Sequence, residues 1–324
     1  MFLCKVGGIM GSAAVLPFET RIEALKRSKI PIIIFGAGIA GETVFHACLD
    51  LGIKVAYFTD NNTNKTNAIK ANASLCGIDV IDLNTIKNTC PEAQFIIAVA
   101  DIRDIASQLE LMGYSKWHPA SFLLHGFDLG KCNYGDRYEF AEFAVGTCLN
   151  CHDAFIDSQK IFLRSVDLVI TERCSLKCKD CSNLMQYYEK PENADTNECL
   201  KSIDEFCALV DSVNEFRIIG GEPFMNKEIH QFIDKLDTEP KVRGVVIYTN
   251  GTIVPNERNL QSLKSKKVMV LITDYDALSR NADKLAETFK FHGISFYRQK
   301  AMNWTSCATI EKHGRSQEAQ EQVF

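Results

Sequence analysis

What the chain lacks narrows it first. It has no surplus of positive charge: 36 Lys+Arg stand against 41 Asp+Glu, a formal net charge of −5. A basic surface of the kind that holds nucleic acid or an anionic membrane is therefore not expected. No apolar run reaches the roughly 20 residues that cross a bilayer as a helix. No solenoid-period repeat and no low-complexity tract occurs. The nearest thing to a secretion signal is the uncharged stretch Val6–Phe18 behind Lys5. It is Gly-rich and weakly hydrophobic and carries no clear cleavage site. The expectation is a cytoplasmic protein, with Met10 as an alternative start and Met1–Ile9 as an extension.

What is present is a chain of 324 residues, long enough at about 150 residues per domain for two domains and a remainder. Its 46% hydrophobic and 24% charged residues fit a soluble globular protein with full cores. The 13 cysteines are the compositional oddity. The chain is too long for a small disulfide scaffold, and the count is odd. Cysteines in such a chain bind metal, do chemistry, or pack as small apolar groups.

The first part reads as alternating strands and helices. A short helix is expected over Arg21–Ser28, and Ile30–Phe35 is a continuous apolar run typical of a strand buried on both faces. It enters Gly36-Ala-Gly38-Ile-Ala-Gly41 and a helix to about Leu51. A second strand, Lys54–Thr59, ends at Asp60, 19 residues past Gly41. Gln94–Ala100 is a third strand, followed by a helical pattern through Met112. Gly36, Gly38, Gly41 and Asp60 form the dinucleotide fingerprint in its proper context, strand before and helix after. The segment 126–160 is rich in aromatics and glycine, has poor periodicity, and is expected to be a connector.

A second series begins at Val166–Thr171 and continues through strands at Phe216–Ile219, Gly244–Thr249, Val268–Thr273 and Ile294–Arg298, with helices between them. Five β/α units in series predict a full or partial barrel with its working residues at the strand C-terminal ends. The expected fold class is thus α/β: a small Rossmann-like parallel sheet over 1–125, the connector 126–160, a partial (β/α)6-type barrel over 161–300, and 301–324 as the start of a C-terminal extension.

The first strand of the second series leads into Cys174-Ser-Leu-Lys-Cys178-Lys-Asp-Cys181. Three thiolates on one short loop can converge on one centre, and soft sulfur ligands favour zinc or iron–sulfur clusters. A structural zinc wants four closed ligands, and no fourth Cys or His follows at finger spacing. A four-iron cluster on three cysteines leaves one iron open. Gly220-Gly221-Glu222-Pro223 closes the next strand, Thr249-Asn250-Gly251 the third, and Thr273-Asp274-Tyr275 the fourth.

These motifs resemble those of the radical S-adenosylmethionine (radical SAM) superfamily, over about Phe162–Arg298. The resemblance implies that Cys174, Cys178 and Cys181 hold a [4Fe–4S] cluster whose open iron takes S-adenosylmethionine. It implies that Gly220, Gly221, Glu222 and Pro223 grip the amino group of that cofactor, the carboxylate pairing with the ammonium. Asn250 and Asp274 would approach the ribose and nearby parts, with Ser279 and Arg280 as further candidates. Many members carry an aromatic residue just before the third cysteine. Here Asp180 stands there, and adenine contacts would fall to residues such as Tyr187 or the strand near Phe296.

The resemblance further implies an oxidoreductase-like enzyme that begins with hydrogen-atom abstraction. Its partners would be an electron donor such as flavodoxin or ferredoxin and a small-molecule or peptide substrate. The first unit resembles small Rossmann-like domains of carbohydrate-modifying proteins. That favours a sugar or nucleotide-linked substrate and, as ligand of the unit, a nucleotide or nucleotide sugar. The other readings are a Rossmann-shaped docking domain that binds nothing, a non-catalytic scaffold with structural zinc or an iron–sulfur site, and an NAD-dependent oxidoreductase in which the three cysteines are incidental. Cys132, Cys148, Cys151 with His152, and Cys307 are candidates for an auxiliary cluster of the SPASM or twitch type, whose cysteine-rich extension is not present in this sequence. Cys48, Cys76, Cys90, Cys199 and Cys207 fit packing roles.

Overall fold

The computed structural model describes residues 18–62, 74–157 and 159–301. The candidate start at Met10, Cys307 and the expected C-terminal extension lie outside them. The chain packs into two units, one running to Arg164 with Leu209–Asn214, the other formed by Ser165–Ala208 and the chain from Glu215 onward.

The first unit opens with helix α1 (Phe18–Arg27), strand β1 (Ile32–Phe35), helix α2 (Ile39–Leu51) and strand β2 (Val55–Thr59). A two-residue hairpin follows, β3 (Ser74–Leu75) and β4 (Ile78–Asp79), then α3 (Leu83–Thr89), β5 (Gln94–Ile97), α4 (Ile102–Leu111), β6 (Trp117–Pro119), α5 (Ser121–Leu124) and the 19-residue α6 (Tyr138–Ile156). The sheet order is β2-β1-β5-β6, all parallel. Its strands are continuous apolar runs because both faces are covered. Ile32 and Ile34 pack with Val44 and Cys48 of α2, whereas Ile33 and Phe35 pack with Ile86 of α3 and Leu109 of α4.

The segment expected as a connector belongs to this unit. Val145 and Cys148 of α6 enter the core on one face of the sheet, and Phe155 packs against the core on the other. A helix that is apolar on more than one side shows no clean 3.6-residue stripe, which explains its poor periodicity.

The second unit carries, apart from the first residues of β7 and β8 and the last of α7, the elements β7 (Phe162–Val169), α7 (Thr196–Leu209), β8 (Ser212–Ile219), α8 (Ile229–Thr238), β9 (Val242–Thr249), α9 (Glu257–Ser262), β10 (Val268–Asp274), α10 (Ala282–His292) and β11 (Phe296–Lys300). These strands lie side by side in chain order, β11-β10-β9-β8-β7, with β9, β10 and β11 paired in parallel. Each β/α unit adds its strand on the same side, as in the growth of a barrel wall. Phe216, Ile218, Val245, Ile247, Val270 and Ile272 point to one face and are buried with Phe232, Leu236 and Phe289 of the helices. The alternate residues, Arg217, Ile219, Tyr248, Leu271 and Thr273, are only half-buried and form the opposite, open face.

The glycine turn after β1 is set by packing. A Cβ on Gly41 would stand 1.8 Å from the Gly36 carbonyl oxygen. Gly41→Ala should therefore destabilise the first unit by about 1–3 kcal/mol, the usual cost of overpacking. Urea unfolding measures it, and an unchanged midpoint would remove the packing role assigned to Gly41.

Candidate functional site

The site is built where β7 and β8 end. The chain leaving β8 runs so close to the loop leaving β7 that side chains are excluded. A Cβ on Gly220, whose φ is +144°, would lie 2.2 Å from the Thr171 carbonyl oxygen, and one on Gly221 would lie 2.1 Å from that of Arg173 and 2.9 Å from Cys174 Cβ. The two segments are joined by hydrogen bonds from Gly221 N to Thr171 O (2.9 Å) and from Glu222 N to Arg173 O (2.8 Å). Asn226 Nδ2 donates to Ile170 O (2.9 Å) and Asn183 Nδ2 to Gly220 O (2.8 Å). This ladder fixes the start of the cysteine loop against the glycine turn.

Cys174, Cys178 and Cys181 are all half-buried and all line one open cleft of about 370 Å³. Gly220, Gly221, Asn250, Thr273 and Tyr275 line it too. Burial pushes the Cys174 and Cys178 thiols up, and the neighbouring thiols push in the same direction. Three thiolates side by side would repel one another, so this donor set calls for a cationic centre to hold it ionised. Among the described residues, the trio of ligand atoms gathered within 4.8 Å of one another is Glu42, His46 and Cys76, not this one. Sulfurs on a single zinc, at about 2.3 Å each, would be that close. The wider loop suits a larger group such as an iron–sulfur cluster.

Asn250 bridges the third strand end to the cysteine loop. Its Nδ2 approaches Cys174 Sγ at 3.7 Å and donates to Ser175 Oγ at 3.2 Å, while its Oδ1 accepts from Thr252 N at 3.1 Å. Ser279 Oγ donates to the Asn250 carbonyl (2.6 Å) and accepts from Tyr275 N (2.8 Å), so it orders backbone at the rim.

Several of the expected residues do not line the cleft. The Glu222 carboxylate is fully buried and absent from the cleft lining. It accepts from Thr249 Oγ1 (2.8 Å), Asn250 N (2.8 Å) and Phe224 N (3.2 Å). Its work here is to bind the second and third strand ends together, leaving Gly220 and Gly221 to face the cleft; Pro223 is buried behind them, starting a short 3-10 turn. Asp274 is buried and paired with Arg298 (2.7 Å), because strand alternation gives the cleft to Thr273 and Tyr275 instead. Arg280 is exposed and outside the lining, as are Tyr187 and the half-buried Phe296, which packs on Phe289. Asp180 does line the cleft.

Sequence reasoning missed Asp167, Arg217 and Tyr248, which line the open face below the strand ends. Arg217 Nε donates to Asp167 Oδ1 at 2.5 Å. The available signal was parity: charged and hydroxyl-bearing residues on the face of a strand opposite a continuous apolar one.

In the first unit the glycine motif is taken up by packing. Gly36 would meet Val99 Cγ1 at 2.7 Å if it carried a Cβ, Gly41 rests on Gly36, and Gly38 caps α2. Asp60 accepts from Ala37 N at 2.8 Å, closing the second strand onto the turn. The strand order reverses between β1 and β5, where a ligand crevice would open. There α6 approaches: His152 Nε2 is 2.7 Å from the carbonyl of Val99, just past β5. Cys148 lies 3.6 Å from the same nitrogen, and Cys148, Cys151 and His152 are buried within α6. Cys132 is buried beside Tyr134, and Cys76 is not packed at all but exposed in the β3–β4 turn.

Burial raises the Glu222 carboxyl to about 7 against an ordinary 4.5, outweighing its three hydrogen bonds. The fold thus prefers the protonated form. The stability this group contributes is complete below about pH 4.5 and is lost as pH rises through about 7. In the cluster-free chain, urea midpoints should fall over that interval, and Glu222→Gln should flatten the fall. Parallel profiles for the two chains would contradict the burial argument.

Residues 168–295 match the family model described as Radical SAM superfamily. Among curated proteins, the chain is similar to a GTP 3′,8-cyclase of Stenotrophomonas maltophilia, 30% identical over 114 residues, covering 35% of this chain and 34% of that protein. A GTP 3′,8-cyclase of Helicobacter pylori is 25% identical over 150 residues, covering 42% and 46%. The chain thus spans between a third and a half of the length of these relatives. Among solved structures, SuiB of Streptococcus suis bound to S-adenosylmethionine has a TM-score of 0.37 at 16% identity, covering 70% of this chain and 48% of that one. The structure of anSMEcpe with bound AdoMet has a TM-score of 0.34 at 20% identity, covering 42% and 43%. Among the described residues no helix is long and apolar enough to cross a membrane. Three cysteines, a two-glycine turn and Asn250 thus gather on one cleft inside the residues that match the radical SAM family model.

Proposed function

We propose that the second unit binds a [4Fe–4S] cluster on Cys174, Cys178 and Cys181 with S-adenosylmethionine beside it, and that the protein is an enzyme acting on an organic substrate by hydrogen-atom abstraction. The observation that carries this is the shared lining: three cysteines, Gly220, Gly221 and Asn250 face one cleft. When bound, the two cofactors supply reductive cleavage of S-adenosylmethionine to methionine and a 5′-deoxyadenosyl radical, given one electron from a donor such as flavodoxin or ferredoxin.

The chain's own residues position and shelter. Gly220 and Gly221 offer backbone without side chains, so a ligand can approach it closely. Buried Glu222 holds Thr249 and Asn250 in place, and Asn250 steadies Cys174 and Ser175. Asp167, Arg217 and Tyr248 give the deeper part of the cleft a charged, hydrogen-bonding wall suited to a polar substrate. The names of the curated relatives favour a nucleotide-linked small molecule over a peptide. For the first unit, the approach of α6 to the end of β5 supports a docking module over a nucleotide site.

The test is anaerobic reconstitution of the full chain with iron and sulfide, reduction, and addition of S-adenosylmethionine. Iron binding and release of 5′-deoxyadenosine are expected, both abolished by Cys174→Ala. Bound iron without 5′-deoxyadenosine would favour the scaffold reading, and zinc in place of iron would overturn the cluster.

A further inference from the structure

The first unit holds a second group of metal-binding side chains. Glu42 and His46 lie four residues apart on α2 and so share one face of the helix. Cys76 sits in the turn between β3 and β4. A carboxylate oxygen of Glu42, a ring nitrogen of His46 and the Cys76 sulfur all lie within 4.8 Å of one another. Two of the three residues are half-buried and the third is exposed, so the group is reachable from solvent. Among the described residues neither the Glu42 carboxylate nor the His46 ring nitrogens have a hydrogen-bond or ion-pair partner elsewhere.

The turn gives a second, independent observation. Ser74 pairs with Asp79 and Leu75 with Ile78, leaving Cys76-Gly77 as a two-residue loop. Both loop residues have positive φ, 54° and 77°. Such a turn is of type I′ and takes Asn, Asp or Gly at its first position. A cysteine there bears the cost of a left-handed conformation with no local return. Strain of this kind collects where a side chain is needed at one place. The side chain held there is the one that completes the trio with α2.

The donor set selects the ion. One thiolate, one imidazole and one carboxylate are the ligand types zinc takes, whereas calcium and magnesium want oxygen alone. We propose that Glu42, His46 and Cys76 form a binding site for one zinc-type divalent ion, with the fourth position open to water or an outside ligand. The bound ion would clip the β3–β4 hairpin to α2, and the Cys76 thiol would release its proton on binding.

The test uses the full chain with Cys174, Cys178 and Cys181 all replaced by Ala, so that the cysteine loop takes up no metal. Cobalt(II) is the spectroscopic probe and zinc its competitor. The expected result is one equivalent of tetrahedral cobalt with a sulfur-to-metal charge-transfer band, displaced by zinc. His46→Ala and Cys76→Ser should each lose that equivalent. Cys76→Asn supplies the residue the turn prefers, so it should fold at least as well and raise the thermal midpoint of the metal-free chain while losing the band. No sulfur-ligated cobalt in the parent chain, or a band that survives His46→Ala or Cys76→Asn, would overturn the site.

Discussion

The second unit depends on one close approach, the contact between the end of β8 and the loop leaving β7. At Gly220 and Gly221 two backbones come so near that a single methyl on either would collide with a carbonyl. Hydrogen bonds from Gly221 N and Glu222 N to Thr171 and Arg173 lock the approach. The cysteine loop starts at the locked residues, so the backbone places Cys174 before Asn250 and Leu176 N reach its sulfur. The same absence of side chains leaves the glycine turn open toward the cleft.

Glu222 completes this arrangement by a different force. A carboxylate taken wholly out of water is costly, and three donors do not fully offset the loss of hydration. What the group supplies is geometric. One oxygen accepts from Thr249 and Phe224 and the other from Asn250, so one side chain sets the ends of two strands and the turn after β8. Asn250 then passes the order on to Cys174 and Ser175. Three of the roughly four acceptor sites of this carboxylate are thus taken up by the scaffold.

Much of the fold was legible because parallel strands buried on both faces read as apolar runs, as Ile32–Phe35 and Val268–Ile272 do. The candidate site was read at strand ends, where Cys174, Gly220 and Asn250 stand and where the cleft lies. Parity was not. Asp274 was expected at the rim, yet alternation buries it against Arg298 and presents Thr273 and Tyr275. Asp167, Arg217 and Tyr248 lie within strands, where a lone polar residue reads as a solvent face; only the sheet shows that the face is a cleft. Helix α6 escaped for the opposite reason, being apolar toward two cores at once. Cys76 was read as packing because its partners, Glu42 and His46, lie on a distant helix and no linear spacing joins them.

Two glycine motifs in one chain show how little the pattern alone decides. Both follow a strand, and both contain glycines that a Cβ would push into a carbonyl. At Gly220 and Gly221 the neighbour is the loop that carries the cysteines, and the free side faces an open cleft. At Gly36 and Gly41 the neighbours are the motif itself and the loop after β5, Asp60 is turned onto Ala37, and α6 meets the strand end. The same stereochemical freedom lines an open cleft in one unit and packs the turn against its neighbours in the other. What separates the two is the identity of the next element in space, which is a property of the fold and not of the glycines.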